Sequence, residues 1–364
     1  MKVVVIGGGP AGATVAARLA RAGRDVTILE RDTFPRDKLC GEFLSGDVVS
    51  WLSELGVMAA IDEVSPPRIS HARFTAAEGA EAHIDLPTPA IGVSRRTLDE
   101  RLFAHAVASG ATGVEGCEVE RIERSGAGWI VHGGGTSYAA DLVIGAQGRR
   151  SRIDKQLDRT FLERRHPFVG LKRHHRGADD LVGGVEIHTF DGGYCGMSHV
   201  EGGAVNVCML LEERVVRSIG GAEWSRVAAH LNEASAPLAR RLATLEPDGE
   251  PLAVAQVPFA DKTRHEDGVL FVGDAAAMIA PLAGDGQAMA IESAVLLADL
   301  VLEGGDLGPS WDRRWRRRFG VRMALARRLQ TALLSPRWAS RLVGTVGGVP
   351  GLGGGLLRLL RTRA

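Results

Sequence analysis

A glycine-rich turn between two apolar segments near the start of the chain constrains the fold more than any other feature. The β-branched run from Val3 to Ile6 predicts a buried strand. Three glycines follow it with the spacing G-x-G-x-x-G: Gly7, Gly9 and Gly12. The first permits a tight turn, the second lets the backbone approach a pyrophosphate, and the third lets a helix pack closely on the strand. A second strand ends at Glu30, at about the spacing where an acid accepts from ribose hydroxyls. The opening therefore predicts a dinucleotide-binding βαβ unit.

Two later segments are similar to the opening strand and indicate how the chain is divided. Ala140 to Gly145 and Gly268 to Asp274 each predict a short buried strand. The regions between these strands carry prolines and alternating apolar residues, which predict a separate sheet. We therefore predict an α/β chain (α+β overall), with a split Rossmann-type domain, an inserted antiparallel β-sheet domain and a C-terminal helical tail. The predicted parts are 1–60, 91–151 and 262–305 for the nucleotide domain, 61–90 and 152–261 for the sheet domain, and 306–364 for a basic helical region.

The cysteines and histidines lack the spacing of a metal site or a disulfide framework. The four cysteines lie far apart without a C-x-x-C pair, which fits a reduced, cytoplasmic setting. His174 and His175 have no partners at ligand spacing, so we interpret them as a solvated basic loop. Met1 directly precedes the first strand, and no apolar run is long enough to span a bilayer. We therefore predict no metal and a cytoplasmic location.

Three motifs resemble those of the flavoprotein monooxygenase superfamily, which includes para-hydroxybenzoate hydroxylase, the flavin-dependent halogenases and the geranylgeranyl reductases. The first is the glycine-rich opening that ends in Glu30. The second, Ala140 to Ser151, resembles the D-x-x-x-G-A-D-G-x-x-S segment of the superfamily, with Gln147 in place of its usual acid. The third runs from Gly273 to Ala290. Three motifs in this order imply bound FAD.

The resemblance also implies which residues meet each part of FAD. The Gly273-Asp274 pair resembles the one that meets the ribityl chain and pyrophosphate, Pro281 to Gln287 would lie beside the isoalloxazine ring, and Arg95 matches a position near the flavin. Glycines at a helix start can also stabilise negative charge on a reduced flavin, and we expect Asp285 between them to point away from the ring. The predicted FAD-binding residues are Gly7, Gly9, Ala11, Gly12, Glu30, Arg31, Cys40, Gly41, Arg95, Gly273, Asp274, Pro281, Gly284, Asp285, Gly286 and Gln287.

A narrower resemblance is to the geranylgeranyl reductase-like branch. Lys38 to Glu42 is similar to its K-x-C-G-G segment, with Glu42 in place of the second glycine. The cysteine of that segment lies near the flavin, so Cys40 could modulate the ring or donate a proton; the alternative is a small packing residue. The branch's aromatic Y-x-W-x-F-P segment is only partly echoed by Tyr194 to His199. The W-x-W-x-I-P segment of halogenases is absent, which argues against halogenation.

The residues leave the reaction open between two redox classes. The leading hypothesis is hydroxylation of an aromatic or polyketide-like molecule through a flavin hydroperoxide, with His188, Tyr194 and His199 on the inserted sheet as candidates to deprotonate a phenol. These three can equally be core or rim polar residues. The alternative is reduction of C=C bonds in an isoprenoid or other lipid, with Cys40 at the flavin; a non-catalytic flavin-binding module is a third. The predicted catalytic residues are Cys40, Tyr194 and His199.

The source of electrons is also left open. No second dinucleotide fingerprint follows the first, so NAD(P)H would have to visit transiently, or another protein would have to reduce the flavin.

The C-terminal tail carries an unusual charge. From Trp311 onwards the chain has 13 Arg, no Lys and one acid, Asp312, while the whole chain is neutral. Its helical periodicity separates cationic from apolar faces, a pattern typical of a helix on an anionic membrane surface. The alternative is a helix that packs on the acidic body. We predict no nucleic-acid partner, because the basic segment stands without a recognised binding fold.

Overall fold

The computed structural model describes residues 1–259 and 261–360 and arranges them in three β-sheets surrounded by helices. The described strands are β1 (Lys2–Ile6), β2 (Asp25–Leu29), β3 (Phe43–Leu44), β4 (Arg68–Ala76), β5 (Glu81–Gly92), β6 (Thr112–Val114), β7 (Val119–Ser125), β8 (Gly128–Gly133), β9 (Thr136–Ala140), β10 (Leu142–Gly145), β11 (Phe168–Gly177), β12 (Gly184–Phe190), β13 (Gly193–His199), β14 (Val205–Glu212), β15 (Leu245–Val254), β16 (His265–Glu266) and β17 (Val269–Phe271). The described α-helices are α1 (Pro10–Arg21), α2 (Gly46–Leu55), α3 (Met58–Asp62), α4 (Arg95–Ala108), α5 (Arg152–Gln156), α6 (Glu213–Ser218), α7 (Trp224–Ala234), α8 (Ala236–Leu242), α9 (Gly286–Glu303), α10 (Leu307–Leu333), α11 (Pro336–Gly348) and α12 (Leu352–Leu360).

The first sheet is the nucleotide-type sheet that the opening motif predicts. Its order is β16-β17-β10-β1-β2-β6, and β1 pairs in parallel with both β2 and β10. The strands are short and apolar, and Val3, Val5 and Ile28 are buried in one core with α1 and α9. The sheet collects strands from early, middle and late parts of the chain, so the predicted split α/β architecture is confirmed.

The second sheet is the inserted one, and its order is β15-β11-β14-β13-β12-β4-β5-β3. All its strand pairs are antiparallel except one: β12 lies parallel to β4. The predicted antiparallel sheet therefore contains one parallel pair. Strands β4 and β12 enter the sheet on separate passages of the chain, so a long crossover rather than a hairpin joins them, and a parallel pair becomes possible. At one edge of the sheet β3 pairs with β5, so the segment around Phe43 extends the inserted sheet.

Side-chain alternation gives this sheet two different faces. Cys195, Met197 and Val207 point into a core closed by α7 and α8. Tyr194 and Leu210, which are opposite each other in the β13–β14 register, point to the other face, towards the nucleotide domain. That second face contributes one wall of the candidate site.

The first helix of the basic tail packs on the body. Trp311 is fully buried, and its Nε1 donates to the carbonyl oxygen of Phe271 at 2.9 Å. Arg314 pairs with Glu303 at 2.7 Å, and Arg318 pairs with the buried Glu292. Packing on the acidic body, one of the two alternatives for the tail, therefore describes α10. Helix α11 lies against β4 and β5 of the inserted sheet, and α12 lies against β5.

Candidate active site

The predicted cofactor residues line one long cleft between the two sheets. One wall comes from the start of α1, the 38–43 segment and the loops after β10 and β17, and the other comes from the inserted sheet. Most of the predicted FAD-binding residues line this cleft: Gly9, Ala11, Cys40, Gly41, Arg95, Gly273, Asp274, Pro281, Gly284, Asp285, Gly286 and Gln287. A smaller cavity continues it past Gly9 and Lys38, and that cavity is lined by Gly7, Glu30 and Arg31.

The fingerprint glycines have three different surroundings, as their spacing predicts. Gly7 has a φ of +105°, which an L side chain rarely adopts. A Cβ on Gly12 would lie 1.8 Å from the carbonyl oxygen of Gly7, so α1 can pack on β1 only with a glycine there. A Cβ on Gly9 would meet no protein atom closer than 3.8 Å, because that position faces the cleft. The backbone at Gly9 is therefore open to a ligand in the cleft and is not crowded by protein atoms.

Glu30 stands at the far end of the elongated site. Its carboxylate is buried and accepts from the backbone N–H of Gly8 at 2.7 Å and from that of Asp32 at 3.1 Å. It thus braces the turn while lining the cavity. Arg31 lines the same cavity, but 61% of its side chain is exposed and it pairs with Asp32 at 3.4 Å.

The shape and polarity of the site fit FAD. An acid stands at one end, the N–H groups at the start of α1 lie in the middle, and glycine backbone stands at the other end. A Cβ on Gly41 or Gly286 would meet no protein atom within 4 Å, so a planar ring can approach the backbone there. Gly286 also begins α9, whose dipole favours negative charge in front of it. When bound, FAD would supply two-electron redox chemistry at this end.

Asp285 turns its charge away from that helix start. Its carboxylate forms an ion pair with Arg322 of α10, and both side chains are buried. The ion pair ties the flavin end of the cleft to the C-terminal helices.

Arg95 is held at the cleft by a buried carboxylate one helical turn away. Its Nε and Nη2 donate to the two carboxylate oxygens of Asp99 at 2.6 and 2.7 Å, and Arg36 approaches Asp99 at 2.9 Å. Burial raises the pKa of Asp99, but the guanidinium groups of Arg95 and Arg36 outweigh it and hold the pKa below its usual value. The group is therefore an anchor that keeps Arg95 oriented.

Lys38 lines both the main cleft and the cavity at Glu30. Burial and the neighbouring cations Arg95 and Arg36 lower its pKa to about 8. In the apoprotein its charge is thus lost at a pH at which an ordinary lysine keeps it. An anion between the two cavities would restore the charge.

We expect FAD affinity to weaken as the pH rises through about 8, by up to about tenfold per pH unit, since a neutral Lys38 attracts the pyrophosphate less. The unfolded chain binds more protons than the folded apoprotein in this range, so apoprotein stability should rise while affinity falls. FAD titrations of the apoprotein, followed by flavin fluorescence, measure the first effect. Lys38→Met should bind FAD more weakly and remove this slope; an unchanged slope in that variant would contradict the assignment.

Cys40 is held in place from three sides. Its Sγ accepts from the side-chain amide of Gln287 and from the backbone N–H of Glu42, each at 3.4 Å. Its carbonyl oxygen accepts from Asn206 of β14 at 3.0 Å. The thiol therefore stands at the junction of the 38–43 segment, the start of α9 and the inserted sheet.

Glu42 forms a buried ionic cluster directly beneath Cys40. It has a φ of +54°, a left-handed conformation in which the reductase-like motif uses glycine. Its carboxylate pairs with Lys172, lies 2.6 Å from His174 Nε2 and accepts from the backbone N–H of Arg95 at 2.9 Å. The side chains of Glu42 and Lys172 are almost completely buried. The cluster joins the cofactor loop to β11 and to α4.

A model of the FAD binding domain family matches residues 1–303. The chain belongs to this family. It is 31% identical over 362 residues to the menaquinone reductase of Mycobacterium tuberculosis, covering 92% of this chain and 85% of that protein. Among solved structures, a flavin-dependent brominase aligns with a TM-score of 0.81 at 19% identity, covering 99% of this chain and 93% of its own. A geranylgeranyl bacteriochlorophyll reductase-like protein from Thermoplasma acidophilum aligns with a TM-score of 0.81 at 18% identity, covering 99% and 95%.

Membership in the FAD binding domain family confirms the predicted resemblance and the FAD-dependent oxidoreductase class. The structural likenesses are below a quarter identity and describe the fold alone. Within the described residues, no helix combines the length and the apolar character that crossing a bilayer requires.

The histidine candidates of this family member do not face the cleft. His199 lies on the same face of β13 as Cys195, and its Nε2 is 3.1 Å from the carbonyl oxygen of Ala178. His188 is directly opposite Cys195 and is bound to Glu186 at 3.0 Å. His199, predicted as a catalytic residue, lies away from the cleft in this structure, because strand alternation turns it into the core behind the sheet. A one-residue difference along a strand decides the face, and the sequence pattern did not resolve it.

Tyr194 does line the cleft, in the apolar wall formed with Leu210 and Val257. Burial raises its pKa well above its usual value, so the phenol stays neutral. Tyr194 can therefore contact or hydrogen-bond a substrate, but it is a poor base.

Sequence reasoning missed the Glu42 cluster and the role of Asp99. The interpretation of His174 and His175 as a solvated loop is wrong, since both lie on β11 and His175 is buried. Two features of the sequence could have indicated the cluster. Lys172 and His174 are two residues apart, as on one face of a strand, and the charged Glu42 stands where the motif has glycine.

Proposed function

We propose that this enzyme reduces C=C bonds of an isoprenoid lipid, with NAD(P)H as the transient electron donor. The observation that carries the proposal is the apolar wall of the cleft, which packs through Leu282 against a second, wholly apolar cavity, and we infer that the two form one path for the substrate. Similarity to a menaquinone reductase supports the same class.

The first part of the path is the wall of the cleft itself. Tyr194, Leu210, Val257 and Met278 line the cleft and belong to one apolar cluster. Leu282 joins the same cluster, directly after Pro281 at the flavin end.

The second part lies beneath the C-terminal helices. Leu282 also lines a cavity between β4, β5 and helices α10 to α12, so it packs against the apolar cluster of the cleft wall and lines this second cavity. Every residue around this cavity is apolar: Phe74, Ala82, Ile84, Leu282, Leu329, Leu333, Leu342, Val343, Val346, Gly353, Leu356 and Leu357. Such a space suits an extended hydrocarbon chain and gives a polar aromatic acid no partner.

The residues at the flavin end fit the proton part of the reduction. FAD, when bound and reduced, would supply the hydride that one alkene carbon requires. The other carbon needs a proton, and we infer that the Cys40 thiol gives it as the π bond is lost. The thiolate then regains a proton from water. Gln287 and the N–H of Glu42 orient the sulfur, since both donate to it.

The geometry favours reduction over the hydroxylation hypothesis. Hydroxylating a phenol by this chemistry benefits from a base that makes the phenolate. Among the described residues that line the cleft there is no histidine, and Tyr194 is a neutral phenol with a raised pKa. Hydroxylation therefore becomes the alternative outcome of the test.

The test offers both reactions to the FAD-loaded enzyme. With NAD(P)H and a detergent-dispersed polyprenyl quinone under nitrogen, mass spectrometry should find product heavier by two hydrogen atoms. In air, with a panel of phenols, no product should gain an oxygen atom. Oxygen insertion without any reduction of the lipid would overturn the proposal.

We expect Leu282→Trp to separate long from short substrates, because the larger ring would fill the second cavity where it adjoins the apolar wall of the cleft. Reduction of the polyprenyl lipid should fall by on the order of tenfold or more, whereas reoxidation of the flavin by a small soluble acceptor should stay unchanged. The matched control is Val182→Trp, at a position 67% exposed and outside both cavities. Equal loss with both acceptors would indicate general damage and contradict the path.

A further inference from the structure

The outer surface of α11 and α12 carries apolar side chains that nothing in the described chain covers. Trp338 is 59% exposed, Val349 is 48% exposed and Leu352 is 42% exposed. They account for three of the seven large apolar side chains that are exposed in the described residues. Their concentration on one short segment sets this surface apart from the rest of the protein.

The same surface is cationic. Arg337 and Arg341 of α11 and Arg358 of α12 are exposed, and the guanidinium of Arg341 lies 5.5 Å from the centre of the Trp338 ring. The sequence has no Asp or Glu after Asp312, so no acid of the tail lies between these cations. We call Arg337, Trp338, Arg341, Val349, Leu352 and Arg358 the tail surface.

The tail surface differs from α10, which belongs to the same basic segment. Several arginines of α10 are bound by acids of the body, among them Arg314 by Glu303 and Arg318 by Glu292. Acidic side chains of the body thus neutralise these arginines of α10. No ion pair of Arg337, Arg341 or Arg358 with a described residue is present.

Helix α11 has an apolar face towards the inserted sheet and a cationic face towards solvent. Ala339 and Val343 are buried against the inserted sheet, while Arg337, Trp338 and Arg341 face outwards. A tryptophan beside arginines, with apolar residues at the same level, is the composition that favours the boundary between headgroups and acyl chains.

We propose that the tail surface docks the protein on an anionic lipid bilayer. Trp338, Val349 and Leu352 enter the headgroup region, and the three arginines attract the lipid phosphates. The occupant is a membrane rather than a nucleic acid, because exposed aliphatic side chains gain nothing from a phosphate backbone. This inference rests on the surface alone and holds whichever reaction the flavin site performs.

Flotation of the FAD-loaded protein with vesicles tests the proposal. Vesicles of phosphatidylcholine and phosphatidylglycerol in equal parts should carry the protein upward, pure phosphatidylcholine should carry little, and salt should weaken the binding. Arg337→Glu with Arg341→Glu should lower vesicle affinity by on the order of 30-fold. Trp338→Ser should lower it while leaving the salt dependence in place.

A charge-matched variant and a folding readout keep the test specific. Lys155→Glu with Arg240→Glu reverses the same charge at exposed positions on α5 and α8, away from the tail surface, and should bind vesicles like the wild type. Thermal unfolding and FAD content should be equal in all variants. Wild-type protein that ignores anionic vesicles, equal losses in both double variants, or a surface that instead pairs two copies in sedimentation would overturn the proposal.

Discussion

Gly9→Ala is expected to give a folded protein that no longer retains FAD, whereas Gly12→Ala is expected to disrupt the fold itself. A methyl group on Gly9 would meet no protein atom closer than 3.8 Å, so only a bound ligand would contact it. Overpacking of this kind costs about 1–3 kcal/mol, which lowers affinity by roughly 5- to 150-fold. On Gly12 the methyl carbon would lie 1.8 Å from the carbonyl oxygen of Gly7, and α1 would have to leave β1.

Two measurements separate these outcomes. FAD content after purification, with FAD titration of the apoprotein, reports the site; thermal unfolding of the apoprotein reports the fold. Gly41→Ala is a useful companion, since it adds a methyl group at another open glycine of the same cleft. Normal FAD binding by Gly9→Ala would show that the cofactor does not approach this turn.

Replacing only Glu42 of the Glu42–Lys172 pair is expected to lower the free energy of unfolding more than replacing both residues. Glu42→Gln leaves the buried ammonium of Lys172 without its carboxylate, so the free energy of unfolding should fall by about 3–5 kcal/mol. Glu42→Gln combined with Lys172→Met removes both charges and should recover much of that loss. Urea unfolding of the three variants and the wild type gives the coupling energy.

The glycine found at this position in the reductase-like motif provides the control. Glu42→Gly relieves the left-handed conformation, whose φ is +54°, but it also removes the carboxylate. It should therefore remain less stable than the wild type unless Lys172→Met accompanies it. Additive effects of the Glu42 and Lys172 substitutions would contradict the cluster as an energetic unit.

The parts of this protein that follow from local rules could be predicted from the sequence. The strand–turn–helix at Gly7 to Gly12 is specified by steric requirements within a few residues, and the Gly273-Asp274 and Gly284–Gly286 segments carry equally local signals. The family resemblance joins these segments into one FAD site.

The parts that depend on contacts between distant segments could not be predicted. Whether His199 or Tyr194 faces the cleft depends on the register of β13, and one residue reverses the answer. The partner of Glu42 is Lys172 on β11, 130 residues further along the chain. The sequence pattern showed an unusual charge where the motif has glycine, but not what neutralises it.

The ion pair between Asp285 and Arg322 has a consequence for where this enzyme can be cut. The match to the FAD binding domain family ends at residue 303, yet Trp311, Trp315 and Phe319 of α10 are buried in the core that contains β1 and α9. Family boundary and folding boundary therefore differ. A fragment or chimera that keeps the nucleotide-binding motifs and omits α10 would expose the apolar surface that these aromatic side chains cover. It would also leave the buried carboxylate of Asp285 without Arg322. Exchange of modules between relatives has to move α10 with the cofactor domain.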